Sequence, residues 1–449
     1  MPSANAAPAV QWSSRIGFIL AASGSAIGLG AIWKFPYWAG ANGGAAFIVP
    51  YILFSLTSGL ALVMAEIAIG RRGRGSAVTA MRRTGGPVFA VIGGFAVLTS
   101  FLILSYYSVV GGWCVAYLAD ALRGAVVSSD AWALRDRFGT LVSTGWLNIA
   151  WLLAFLTLTC ATVALGVERG IERLSKILMP LLFVLMLILT GAGLSLDGAL
   201  TGVRYLLDFS WDAVTPQSIL SAMGFCFFSL SLGAGILVTY GAYLPERVSI
   251  PSASLWIVGL SLEASLLAGL MTMPAVFALG LEPDAGPGLV FLTVPMIFAH
   301  IPAGELLAVL FYVSLLVAAL TSSVSLLEVS VAFLKTECRL PRRAATFVAW
   351  GTLLLLGSVS ALSFGGSGSL TVFGRGFFDW LDFVCTNLLM PAGGLAVAAL
   401  AGWRAWGGIR EELVSARPWS EGALRFMRLL IAVIAPLLVL TSCGQGLLG

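Results

Sequence analysis

The chain has 449 residues, of which 59% are hydrophobic and only 10% charged, and its mean hydropathy is +0.98. Soluble domains carry about 25% charged residues, so this composition excludes an ordinary cytosolic fold, a disordered chain, a disulfide scaffold and a nucleic-acid binder. A spanning helix needs about 20 apolar residues, which leaves room for roughly ten to twelve spans with their loops; the net charge of +4 matters less than where the charges sit.

Residues 1–11 contain no Lys or Arg and lack the basic start of a signal peptide; they read as a flexible cytoplasmic tail. From residue 12 the apolar runs predict eleven helices, α1–α11. They lie near 14–38, 44–70, 88–121, 144–166, 172–195, 216–240, 251–280, 303–334, 344–364, 377–402 and 424–446. A shorter apolar stretch at 288–300 contains Pro295, precedes Pro302, and reads as a re-entrant or surface hairpin. With the N-terminus in the cytoplasm, 19 of the 25 Lys and Arg residues fall inside and five outside, with Lys34 within α1. That bias supports both the count and the orientation, and an odd number of spans leaves the C-terminus outside. The six cysteines have no paired spacing and mostly sit in apolar runs, as small hydrophobes do. His300 is the only histidine, there is no HExxH, and Gly365-Gly-Ser-Gly368 lacks the strand and Lys of a phosphate loop. The chain therefore has little material for an intramembrane enzyme.

Two helices carry glycine and serine clusters at mid-length: Gly24-Ser-Ala-Ile-Gly28-Leu-Gly30 in α1 and Ser229-Leu-Ser231-Leu-Gly233-Ala-Gly235 in α6. Glycine costs about 1 kcal/mol in a helix interior, and unwound backbone survives in a bilayer only when buried in protein or lining a cavity. Helices five apart start on opposite sides, so α1–α5 and α6–α10 read as an inverted repeat with a binding site between the breaks. That rule was learned on transporters of the kind named next. The repeat halves are 12–195 and 215–404, with α11 at 420–446, in a single domain over 12–446. The simpler alternative is that these glycines only let helices pack closely.

The sequence resembles the neurotransmitter:sodium symporter family in its bacterial, eleven-helix form. The resemblance rests on Trp12-Ser-Ser-Arg15-Ile-Gly17, the first glycine cluster, Lys34-Phe-Pro-Tyr37, Asn42-Gly-Gly-Ala-Ala-Phe47, Glu66-Ile-Ala-Ile-Gly-Arg71, Phe227-Phe-Ser-Leu-Ser-Leu-Gly233 and Leu320-Thr-Ser-Ser-Val324. It runs from about residue 12 to 446. It implies an all-α, multi-spanning membrane protein with the leucine-transporter fold, taking up substrate with sodium by alternating access across the bacterial inner membrane.

The resemblance also assigns positions. The family's second sodium site falls on Gly24, Ile27, Ala318, Thr321 and Ser322, five neutral oxygens that bind weakly enough to release. Back-bonding of Thr321 and Ser322 within α8 is the alternative reading. At the first sodium site the family's side-chain ligands are replaced by Ala31 and Ser261, while Ala26 and Ser229 still match. This site is expected to be weak or absent, leaving one sodium to drive transport. Tyr51, Ser229 and Ser265 resemble parts of a chloride site, but Phe225 replaces its amide donor, which makes chloride use doubtful.

Tyr107 matches the tyrosine that holds a substrate carboxylate, and Gly28 stands where carriers of lone amines have Asp. The substrate site is expected at Ser25, Ala26, Gly28, Ile103, Tyr107, Val110, Phe228, Ser229, Ser231, Ala234, Ser322 and Leu326. Ala234 replaces a bulkier residue, which suits a neutral, hydrophobic or aromatic L-amino acid. A β-amino or sulfonic acid is the rival substrate, and a non-transporting amino-acid sensor is the rival function. Lys34 and Asp382 match the extracellular gate, with Asp379 as a rival partner for the lysine. Glu66 matches the acid that caps the break in α6, and Gly170 and Pro180 match a Gly-X9-Pro motif that lets α5 unwind; a plain packing kink is the alternative there. The family's cytoplasmic Arg–Asp pair is missing at both ends, where Ala9 and Thr336 stand. Glu263 and Glu328 read as polar packing groups, Glu263 lying close enough to Ser261 for proton coupling. The oligomeric state is left open.

Overall fold

The computed structural model describes residues 11–280, 288–365 and 370–448, with side chains as far as Thr441. The expected tail at 1–11, including Ala9, therefore lies almost wholly outside the described residues, as do Gly366 to Gly368. Helices occupy all eleven expected ranges. Among the described residues nine are continuous and long and apolar enough to cross a membrane: α2 Ala45–Gly73, α3 Pro87–Ala121, α4 Gly145–Ala164, α5 Val167–Leu194, α7 Ile250–Ala278, α8 Gly304–Thr336, α9 Arg342–Leu362, α10 Phe377–Arg404 and α11 Glu421–Thr441. The other two are the broken ones. Arg15–Ala26 and Gly30–Ala41 of α1 meet at 53°, and α6 divides into Pro216–Ser229 and Ile236–Ala242. With 14 and 7 residues, the halves of α6 are each too short to span alone.

Local chemistry fixes these ends. Ser14 caps α1 by accepting from the Gly17 amide. Thr215 and Ser218 form a reciprocal capping box at α6, with Pro216 in the first turn, where its missing N–H costs nothing. The first half of α1 stops because Ile27 leaves helical geometry, at φ −93° and ψ 67°. The break in α6 passes through left-handed backbone at Ser231, Gly233 and Gly235. Gly233 is irreplaceable on steric grounds too, since a Cβ there would lie 2.0 Å from the Met390 carbonyl of α10.

The core sits on α8, which packs along α3, α5, α4 and the first half of α1. α7 lies against α5 and α1, and the short second half of α6 lies against α2. Outward faces carry exposed Leu158, Leu187, Leu355 and Leu437, apolar surface of the kind that suits a bilayer. The stretch expected as a hairpin is a short buried helix, Leu289–Phe298, tied to α8 where the Tyr312 hydroxyl donates to the Val290 carbonyl at 2.9 Å. Cys114, Cys160, Cys226 and Cys385 are buried and free, while Cys338 is exposed.

Candidate functional site

The two breaks face one another across a cavity of about 300 Å³. All twelve residues expected to hold substrate line it. Its deep wall is apolar: Ile103, Val110, Ala234, Ile236 and Leu326. The charged lining residues, Lys34, Asp379 and Asp382, belong to its α1–α10 end. Gly28 has no room for any side chain, because a Cβ there would lie 2.6 Å from Ser322 Oγ and 3.1 Å from the Tyr107 hydroxyl. The Leu29 amide, freed by the break, donates to the Tyr107 hydroxyl at 3.2 Å. A helix start of this kind presents N–H groups and a partial positive charge, so the Leu29 amide and the Tyr107 hydroxyl offer donors that suit an anion. The Ser231 hydroxyl bridges the breaks by donating to the Ser25 carbonyl at 3.1 Å.

Below the cavity, α1 meets α8. The Ser322 hydroxyl donates to the carbonyls of Gly24 at 3.0 Å and Ser25 at 3.1 Å. Gly24 lies flush on Thr321, where a Cβ would be 3.0 Å from Thr321 Cβ. Thr321 does back-bond within α8, to Val317 and Ala318, both at 3.1 Å, but each hydroxyl and carbonyl oxygen keeps a lone pair. Ile27, the last residue before the break, has non-helical backbone angles. Neutral oxygens from both helices thus converge without a carboxylate, a donor set that fits a hard monovalent cation.

The neighbouring region is poorer in ligands. Ala31 offers no side-chain oxygen, and the buried Ser261 hydroxyl has no hydrogen-bond partner among the described residues. The Tyr51 hydroxyl lies 3.2 Å from both Ser229 Oγ and Ser265 Oγ, while the Phe225 ring stands edge-on 5.2 Å from the Tyr51 ring. The three hydroxyls satisfy one another against an aromatic wall.

At the other end of the cavity Lys34 Nζ lies 3.8 Å from Asp382 Oδ1 and 4.1 Å over the Phe228 ring. Asp379 lines the cavity without pairing with Lys34. Tyr106, one residue before Tyr107 and so about 100° around α3, donates to Asp382 at 3.0 Å; the sequence reading did not single it out. A wider vestibule beyond, about 1020 Å³, shares Lys34, Phe228 and Asp382.

Glu66 is buried on α2 and accepts from the Gly233 amide across the α6 break at 2.7 Å. Glu328 pairs with Arg342 and accepts from the Tyr243 hydroxyl at 2.8 Å, so it is a packing group. Glu263 instead points outward from α7, away from the site. Gly170 has a steric reason of its own: a Cβ there would lie 2.1 Å from the Thr162 carbonyl of α4. It sits in a π-helical turn, Val167–Glu172, while Pro180 lies inside the helical body that follows.

Comparison with known proteins agrees with this geometry. Residues 10–136 and 128–447 match the sodium:neurotransmitter symporter family. An uncharacterized sodium-dependent transporter of Bacillus subtilis (strain 168) is 40% identical over 390 residues, 87% of this chain and 86% of that protein. One from Methanocaldococcus jannaschii is 32% identical, over 87% of this chain and 81% of that protein. The crystal structure of MhsT in complex with L-phenylalanine superposes with a TM-score of 0.89 at 40% identity, covering 96% of this chain and 98% of that one. The architecture is the leucine-transporter fold. The chain belongs to the sodium:neurotransmitter symporter family and is a sodium-dependent membrane symporter, not an enzyme.

Proposed function

We propose that this symporter imports a neutral, hydrophobic or aromatic L-amino acid by alternating access, driven by one sodium ion at Gly24, Ile27, Ala318, Thr321 and Ser322. The observation that carries the reading is the cavity between the breaks: donors that suit an anion at Leu29 N–H and Tyr107, and an apolar deep wall widened at Ala234. Fixed protein dipoles would take the place of the water around the substrate's carboxylate and amine there. The side chain meets no charge that would favour a basic or acidic substrate. The phenylalanine held by the structural neighbour MhsT supports the same class.

Lys34 and Asp382 form the outer gate, with Tyr107 and Phe228 beneath. A lysine holds its partner as a point charge and lacks the bidentate fork of arginine, which suits a loosely closing gate. Glu66 braces the α6 break; Gly170 and Pro180 let α5 open toward the cytoplasm. The membrane domain spans 12–446 as an inverted repeat of 12–195 and 215–404 plus α11. The N-terminus is cytoplasmic and the C-terminus outside, in the bacterial inner membrane. Phe225, packed against Tyr51 where the family has an amide donor, argues against a chloride requirement.

The deciding experiment is uptake of each of the twenty amino acids into proteoliposomes, with sodium replaced by potassium in parallel. Sodium-dependent accumulation of large apolar or aromatic amino acids is the expected result. Accumulation of β-amino or sulfonic acids alone would overturn the substrate class, and sodium-dependent binding without accumulation would identify a sensor.

A further inference from the structure

The cytoplasmic end of α1 must be held shut by something other than the missing Arg–Asp pair. The structure puts one carboxylate there. Glu172 lies in the π-helical turn of α5, two residues after Gly170, and its side chain is 1% exposed. Its Oε2 accepts the Ser13 amide at 2.8 Å. Its Oε1 accepts the Ser13 hydroxyl at 2.6 Å and the Ser14 hydroxyl at 2.8 Å, and Lys176 Nζ balances the charge at 2.7 Å. Ser14 Oγ in turn caps α1 through the Gly17 amide at 3.0 Å. Gly17 admits the carboxylate only because it lacks a side chain: a Cβ would lie 2.1 Å from Glu172 Oε1. One ring residue away, the Trp12 indole donates to the Tyr240 carbonyl at 3.0 Å, so the segment is seated on the bundle from two sides.

We infer that Glu172 is a latch that makes the release of the N-terminal segment and the unwinding of α5 a single event. Charge-assisted hydrogen bonds are the strong ones, and this carboxylate spends its lone pairs on α1 while its backbone belongs to the weakest part of α5. The Glu172 turn is π-helical, and Pro180 cannot donate to the Lys176 carbonyl. Unwinding between Gly170 and Pro180 swings the carboxylate away from Ser13 and Ser14, so that the Ser14 cap of α1 is no longer held in place. Conversely, departure of residues 12–14 strands a buried carboxylate and favours opening of α5. The same segment reaches the cation site, since Met179 Sδ would lie 3.1 Å from a Cβ on Gly24. Glu172 is thus a positioning residue for the inward opening, whatever amino acid is carried.

The test is amide hydrogen exchange on the full-length protein in nanodiscs with saturating sodium, comparing wild type, Glu172→Gln and the double variant Ser13→Ala/Ser14→Ala. The expected result is that both variants raise exchange in residues 167–180 at least threefold, together with residues 15–26, while the extracellular segment 289–298 is unchanged. The double variant is decisive because its changes lie on α1 and its readout on α5; it also serves if Glu172→Gln fails to fold. Faster exchange confined to residues 15–26, with 167–180 unchanged, overturns the latch. Equal acceleration in 289–298 also overturns it, as that is general loosening.

Discussion

Ala234 sets how large a side chain the site can take. It is 1% exposed and lines the deep wall, so its substitution acts on the cavity and not on the surface. Ala234→Phe is expected to raise the KM for tryptophan at least tenfold while sparing alanine or valine, as uptake kinetics would show. Unchanged tryptophan uptake with loss of small substrates would refute the argument. Gly28 gives a sharper prediction. Its Cβ would press on both Ser322 Oγ and the Tyr107 hydroxyl, so Gly28→Ala should weaken sodium and substrate binding together, each by roughly tenfold or about 1.4 kcal/mol. Titration calorimetry of each ligand checks this. The expected substrate residues that line the cavity were reached through the family resemblance, whose motifs at the two glycine clusters and at Tyr107 carry their positions. Tyr106 and Glu172 were not. Their partners lie 276 and 159 residues away, and no local pattern announces a contact that only the closed bundle creates.

Whole elements follow a similar division. The eleven helices were legible because twenty-residue apolar runs leave few alternatives. The breaks were legible because Gly and Ser cluster there. The π-helical turns were not, since they answer to packing, as Gly170 does against Thr162. Within α5 the proline holds the prediction: Pro180→Ala restores a backbone donor, so sodium-dependent exchange in 170–180 should fall and turnover should slow severalfold. A second element-level prediction concerns the end of α8. Glu337 accepts from the Ser76 hydroxyl at 2.9 Å and also from Thr79, and Arg82 lies 3.6 Å away. Partial burial pushes its carboxyl up, but these hydroxyls and the charges of Arg82 and Arg83 together bring it below its ordinary value. A lowered folded-state pKa stabilises the protein above the unfolded value and loses that contribution as pH falls through the folded one. The difference in thermal midpoint between wild type and Glu337→Gln should therefore be constant above the ordinary glutamate pKa of about 4.3 and close only below it.

At the scale of the molecule, the proposed single cation site, beside a region where Ala31 offers no side-chain oxygen, predicts a simple stoichiometry. Uptake against sodium concentration should give a Hill coefficient near one; a value near two would restore the site at Ala31 and Ser261. The Glu328–Arg342 pair is structural at this scale. It joins α8 to α9 and, through Tyr243, to the end of α6. Removing one member of a buried pair costs about 3–5 kcal/mol, so Glu328→Gln should lower the melting temperature whether or not sodium is present.

The proposed loading of one sodium ion with one zwitterion has an electrical consequence. A zwitterion adds no net charge, so on the proposed stoichiometry each cycle would carry one elementary charge inward and generate current. One charge crossing 100 mV is worth about 2.3 kcal/mol, which corresponds to roughly fiftyfold accumulation. The resting voltage of the cell, quite apart from its salt gradient, would then be a principal source of the power that concentrates the nutrient.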